Sequence, residues 1–265
     1  MLYHDIFNYK LSEENLQRWT AGPKLDIRKN SKGRVKALES KGTYTKSLPR
    51  VNENKLKIAK KAARALSLLS SVTFVGVTGS LAMRNAKPES DIDLMIITKT
   101  GTLWSTRLLV YVFLFASNLK VRQPRNSNEQ DKLCLNVWFD ESKLAWIGPQ
   151  NAYTAHEIAQ VVPLLVRGEI YVRWIDANRW IFDYWPHSLA TKQSPHEVLS
   201  PIENVTLLDM CCMVLNTVCF WLESRYMSGK ITRERVTLHY AFFHPFDWAE
   251  RVMHLLQLKG VTEVL

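Results

Sequence analysis

Two short motifs hold the residues best suited to chemistry: Gly79-Ser80 and Asp91-Ile92-Asp93-Leu94, with ten residues between them. Each adjoins a run of apolar, β-favouring residues, Val72 to Thr78 and Leu94 to Thr98. Side chains on a strand alternate between faces, so Asp91 and Asp93 project from one face while Ile92 and Leu94 enter the other. Two carboxylates so close cannot both be buried unpaired; they need a cation or basic partners. Hard oxygen ligands suit Mg²⁺, which takes one or two carboxylates and completes its shell with substrate phosphates. Gly79 lets the backbone approach closely, its neighbouring N–H groups can hold phosphate oxygens, and the Ser80 hydroxyl adds a donor. A phosphate cradle beside a paired-carboxylate metal site is the equipment for two-metal transfer of a phosphorus-centred group, with the ions about 3.5–4 Å apart. One ion would activate an acceptor hydroxyl and the other would hold a triphosphate. Arg84 and Lys87, between the motifs, could neutralise phosphates or simply face solvent.

The elements that must position these groups follow from periodicity. Apolar residues at Leu56, Ala59, Ala63, Leu66 and Leu69 predict a helix from Asn52, with lysines and Arg64 on its other faces. Strands are predicted at 72–78, 91–98 and 132–139, and a buried helix at 102–118. Beyond Tyr153 the pattern predicts helices at 153–166, 168–183, 203–228, 231–240 and 245–258. In the helix 203–228, Asp209, Asn216 and Glu223 recur every seven residues, a polar stripe on an otherwise buried helix. Near the N-terminus, Leu11-Ser12-Glu13-Glu14 reads as a helix start. The segment 22–50 carries five Gly or Pro among many lysines, with a possible wing at Lys41 to Thr45. The expected architecture is α+β: a basic N-terminal module (1–50, winged-helix-like at best), a small mixed-sheet core (51–150) and a helical C-terminal part (151–265).

Composition sets the outer bounds. The chain has 265 residues, 46% hydrophobic and 23% charged, which suits a globular protein with a sizeable core. No run reaches the ~18 apolar residues of a membrane span, and the N-terminus lacks a signal-peptide pattern. The expectation is therefore a cytoplasmic protein with no membrane partner. Cys134, Cys211, Cys212 and Cys219 form no metal-binding pair and read as buried, reduced thiols. The net charge of +10 lies wholly in residues 1–64, which hold 16 Lys+Arg and 6 Asp+Glu; the rest holds 19 of each. That segment is either a solvated basic region or a surface for nucleic acid.

Gly79-Ser80-Leu81-Ala82-Met83 followed by Ser90-Asp91-Ile92-Asp93-Leu94-Met95-Ile96-Ile97 resembles the signature of the DNA polymerase beta-type nucleotidyltransferase superfamily. The likeness is sharpest over residues 72–98. It implies transfer of a nucleoside monophosphate from an NTP to a hydroxyl acceptor with Mg²⁺. By the resemblance Gly79 and Ser80 contact the triphosphate, and Asp91 and Asp93 bind metal. Family catalysts carry a third carboxylate on a later strand, and here Asn136 occupies that position. An amide is no general base, so Asp140 through a bend, an acid from elsewhere, or a silent site are the alternatives. A catalytically silent nucleotide-binding protein, or a DNA-binding regulator acting through the basic N-terminus, are the rival functions. His156 and Glu157 read as a helix-start polar pair. Trp174, Trp180 and Trp185 read as packing aromatics.

Overall fold

The computed structural model describes residues 2–7, 9, 11, 13–27, 48–123, 129–189, 206–228, 235–243 and 248–263. In chain order come α1 (Leu2–Asp5), α2 (Glu13–Arg18), β1 (Leu25–Ile27), α3 (Pro49–Leu66), β2 (Val72–Val77), α4 (Gly79–Ala82) and β3 (Ile92–Thr98). They continue with α5 (Leu103–Ala116), β4 (Leu133–Asp140), α6 (Ala152–Ala159), β5 (Val162–Val166), α7 (Ile170–Asp176) and α8 (Ile181–Tyr184). The last are α9 (Leu207–Met227), β6 (Arg235–Val236), β7 (Tyr240–Phe242), α10 (Trp248–Leu258) and β8 (Val261–Glu263). The architecture is α+β. A six-stranded mixed sheet runs in the order β5-β2-β3-β4-β7-β6, and a two-stranded sheet pairs β1 with β8.

Alternation along β3 divides the core into two layers. Ile92, Leu94 and Ile96 face a cluster built with Ala59, Ala63 and Leu66 of α3 and Trp104 and Val110 of α5. Met95 and Ile97 face the other side, against Ala155 and Ile158 of α6, Trp174 of α7 and Val252 of α10. Tyr3 and Trp19 join this second layer, so the N-terminal segment packs on the sheet's site face. The expected wing at 41–45 lies outside the described residues.

Two segments expected to be helical are strands. Val162-Pro163-Leu164-Leu165-Val166 is short and apolar throughout, a pattern periodicity cannot assign. It forms edge strand β5 beside β2, where Pro163 is tolerated. Residues 235–242 supply β6 and β7, and β7 pairs with β4. The C-terminal part therefore completes the central sheet instead of standing apart from it as a helical unit.

Helix α9 inverts the expected arrangement. Its polar stripe is the buried side. Asp209 binds Lys99 Nζ at 2.9 Å and Ser70 Oγ at 2.7 Å. Asn216 Oδ1 accepts from the Trp104 amide at 2.8 Å, and Glu223 pairs with Arg107. The apolar residues face outward, with Leu207 and Val214 each 78% exposed. Partners on and just before α5 pull the polar groups inward, because a buried polar group needs a partner while an exposed leucine does not. By length and mean hydropathy α9 is long and apolar enough to cross a membrane, although Asp209, Asn216 and Glu223 interrupt its apolar run.

Candidate active site

The chain leaves β2 and enters α4 through Gly79 at φ +62°, in the left-handed region open to glycine. A Cβ on Gly79 would lie 2.4 Å from Asp93 Oδ2, so the two motifs are in contact. The Thr78 amide donates to the Asp93 carbonyl at 3.0 Å and closes the junction. Ser80 is exposed beside it.

The connection between the motifs is held from α3. Asn52 Nδ2 donates to the Arg84 carbonyl at 2.9 Å, and its Oδ1 accepts from the Ala86 amide at 3.1 Å. Lys55 is 1% exposed; its ammonium donates to the Pro88 carbonyl at 3.1 Å, the Ser90 carbonyl at 2.7 Å and Asp131 Oδ1 at 2.7 Å. Sequence reasoning placed the lysines of α3 in solvent, but this one fixes the turn that delivers Asp91. Lys55→Met removes the donor to the Pro88 carbonyl, one of two donors to the Ser90 carbonyl and the ion pair to Asp131, and is expected to cost about 2 kcal/mol. Urea unfolding measures that loss, and it should come with weaker triphosphate binding.

A cavity of about 740 Å³ opens on the motifs, within the size range of ligand sites. Gly79, Ser80, Asp91 and Asp93 line it together with Cys134 and Glu157. Arg122 and Asn136 also face it, whereas Arg84 and Lys87 do not line it. Both are exposed on the connection, whose backbone is tied to α3. The arginines that line the cavity are Arg122 and Arg235 instead, and Arg122 is the one that meets the carboxylates. Its Nη1 donates to Asp91 Oδ2 at 2.8 Å, and it also pairs with Glu129. Arg122 lies in an irregular segment after α5, where periodicity gives no signal.

Asp140 is not brought to the site. The β3–β4 register sets Cys134 opposite Asp93 and Asp140 opposite Thr98, so Asp140 lies six residues further along, roughly 20 Å away. A register shift at Asn136 also reverses the alternation: Leu133, Leu135 and Trp138 face one layer, and Val137 and Phe139 the other. Such a bulge re-aims side chains. Asp140 is fully buried and accepts from the Gly101 amide at 2.6 Å, and from the Ser142 amide at 2.9 Å and hydroxyl at 2.6 Å. It shapes the loop before α5.

Asn136 itself reaches the carboxylates. Its Nδ2 donates to Asp93 Oδ1 at 2.8 Å, while its buried Oδ1 has no hydrogen-bond partner. Ligand atoms of Asp91, Asp93 and Cys134 lie within 4.8 Å of one another. Burial, and then the Asp91 charge, push the Asp93 carboxyl from its usual 3.8 to about 7, against the opposing pull of Arg122 and the bonds from Cys134 and Asn136. Burial among the same carboxylates also raises the Cys134 thiol. The residues fit a divalent cation: two carboxylates converge, a lone amide oxygen is buried beside them, and a cation would relieve their mutual repulsion.

Glu157 of α6 is the acid that sequence reasoning underrated. Burial and the Asp93 charge raise it from 4.5 to about 8, against a bond from Gln160 Nε2 at 2.7 Å. Between about pH 4.5 and 8 the unfolded chain releases this proton and the folded protein keeps it, so its contribution to stability falls as pH rises. Glu157→Gln is therefore expected to stabilise the metal-free protein more at pH 8 than at pH 5 in paired thermal melts. His156 meets His4 at 3.0 Å between the Nε2 atoms and stacks on Trp19 with centroids 3.9 Å apart. Burial lowers both imidazoles, His4 to about 3, so both stay neutral and serve as packing. Trp174 and Trp185 are buried as packing aromatics.

Residues 57–151 match the family model described as "Nucleotidyltransferase domain". No curated protein and no solved structure gives a significant match. The matched span runs from within α3 through both motifs to the residue before α6, and so contains the glycine junction and the carboxylate pair, while Asn52, Lys55 and Glu157 lie outside it. Over residues 57–151 the chain is similar to the nucleotidyltransferase domain family.

Proposed function

We propose that the protein moves a nucleoside monophosphate from an NTP to a hydroxyl acceptor, with Mg²⁺ accompanying the triphosphate. The observation that carries this reading is the contact between Gly79 and Asp93, which sets a phosphate cradle against a paired-carboxylate site in one cavity. Asp91 and Asp93 would hold the cation, which lowers the charge on the phosphates and polarises the reacting oxygens. The backbone at Gly79 and Ser80 and the Ser80 hydroxyl orient the triphosphate, and Arg122 leaves Asp91 to pair with phosphate. The acceptor oxygen attacks the α-phosphorus and pyrophosphate departs with the bonding electrons. Asn136 cannot take the acceptor's proton; Glu157, in the same cavity, could take it only in its ionised form, which is favoured above about pH 8, so transfer should speed up as pH rises toward that value. Basic residues in 1–64, including exposed Lys57, Lys61 and Arg64, are available to a polyanionic acceptor.

The test is incubation with each α-labelled NTP and, in turn, nucleic-acid, protein and small hydroxylated acceptors, with transfer of label to the acceptor and pyrophosphate release both measured. Wild type is expected to release it, Asp93→Asn to lose it, and Glu157→Gln to lose most of it while still binding NTP. Unchanged release in Asp93→Asn would overturn the reading. One observation favours a second reading, a nucleotide-binding protein without turnover: Arg122 and Asn136 already occupy both carboxylates at 2.8 Å. NTP binding with no pyrophosphate release from any labelled NTP would select it.

A further inference from the structure

The third-acid position is not merely empty of a carboxylate. Strand β4 presents two other donors there, a thiol and an amide. Cys134 sits directly opposite Asp93 in the β3–β4 register, and its Sγ lies within 4.8 Å of ligand oxygens on both Asp91 and Asp93. The next site-facing residue, Asn136, is 6% exposed, and its Oδ1 is buried without a hydrogen-bond partner beside Asp93. The other three thiols are on α9, which packs on α5; Cys211 is exposed, and Cys219 borders the core layer on the other side of the sheet. Cys134 is thus the one cysteine among the described residues that lines the cavity.

Ligand type decides which ion such a set prefers. An all-oxygen site suits Mg²⁺ and Ca²⁺, whereas a sulfur ligand selects ions that bond strongly to thiolate, zinc foremost among the divalent ones. We propose that, beside the Mg²⁺ that arrives with the triphosphate, this cluster takes a thiophilic divalent ion of the zinc class, bound by Cys134 Sγ together with Asp91 and Asp93. The inference rests on the reading that this carboxylate pair holds a cation, and it adds the ion's chemical class. As the sulfur–metal bond forms, the thiol proton passes to solvent. Arg122 Nη1 lies 2.8 Å from Asp91 Oδ2 and 3.8 Å from Cys134 Sγ. It is the counter-charge of the cluster and competes with an incoming ion.

The experiment uses the full chain and Cd²⁺ as a spectroscopic probe. In a Cys211→Ser/Cys212→Ser/Cys219→Ser variant, an equimolar amount of Cd²⁺ is expected to produce the ultraviolet charge-transfer absorption of a cadmium–thiolate bond. The same band should appear in the wild-type minus Cys134→Ser difference spectrum, which covers the case where the triple variant folds poorly. Cys134→Ser should weaken Zn²⁺ binding by at least the ~10–100-fold associated with supporting residues of metal sites, and Arg122→Gln should tighten it by about tenfold. A large excess of Mg²⁺ should leave the band in place. Absence of the band, its survival in Cys134→Ser, or its displacement by Mg²⁺ would overturn the inference. NTP binding in Mg²⁺ is measured separately. If it persists without a Cd²⁺ band, the ion's class is wrong; if the band forms without NTP binding, the nucleotide reading is wrong.

Discussion

Gly79→Ala is expected to eliminate NTP-dependent stabilisation while leaving the protein folded. The reason is local. Gly79 stands at φ +62°, where a Cβ costs about 1–2 kcal/mol. That Cβ would also lie 2.4 Å from Asp93 Oδ2, so the carboxylate must rotate away. Rotation breaks the bond from Asn136 and dissolves the convergence with Asp91. The fold absorbs the strain because the neighbouring strands are otherwise untouched, but the cradle and the carboxylate pair no longer face one space. Urea unfolding should show a loss of about 1–2 kcal/mol, and thermal melts with Mg²⁺ and NTP should show no shift. Wild-type ligand response in Gly79→Ala would mean that triphosphate does not bind at this junction.

Asp209→Ala is expected to destabilise the protein by about 3–4 kcal/mol, through loss of a buried ion pair and of the start of α9. Asp209 is 1% exposed and binds Lys99, Ser70 and the Thr206 amide. Thr206 Oγ1 accepts in return from the Asp209 amide at 3.2 Å, forming a reciprocal cap. For a chain of this size the melting midpoint should fall by roughly 6–16 °C. Burial pushes the Asp209 carboxyl up, but bonds from Thr206, Lys99 and Ser70 outweigh it and hold the group below its usual 3.8. A lowered folded value contributes stability above the unfolded value and loses it as pH falls through the folded one. The gap between wild type and Asp209→Ala should thus be full above about pH 5 and shrink below about pH 4. A gap independent of pH would contradict the ion-paired role.

What was legible in the sequence divides by the range of the interactions. The alternation at Asp91-Ile92-Asp93-Leu94 fixes which side chains share a face, and the structure keeps it. The stripe of α3 was readable because it buries a continuous apolar face, whereas α5, expected to be buried, leaves Leu108, Val112 and Phe115 exposed. Less readable was whatever depended on a partner distant in the chain. Lys55 looks like a solvated lysine until the carbonyls of Pro88 and Ser90 surround it. Asp209, Asn216 and Glu223 read as a solvent stripe because residues 99–107, which receive them, lie a hundred residues earlier. Asp140 was expected on the site's face, but one bulge at Asn136 turned it away. Val162–Val166 gave no periodic signal, so its strand emerged only from pairing with β2. Arg122 and Glu157 were missed as site residues because irregular chain and a helix-start position give no hint of which cavity they face.

The most direct test of the central claim is thermal unfolding with each NTP, with and without Mg²⁺, in wild type and Asp91→Asn/Asp93→Asn. The variant is a fair comparison: Asp93 already favours its neutral form, and Arg122, freed from Asp91, is about a third exposed. At ~100 times the dissociation constant, a bound NTP should stabilise wild type by about 2.7 kcal/mol, only with the metal present. The variant should show no such shift. An equal shift in the variant, or no shift with any NTP in wild type, would contradict the assignment of Asp91 and Asp93 to a metal–nucleotide site.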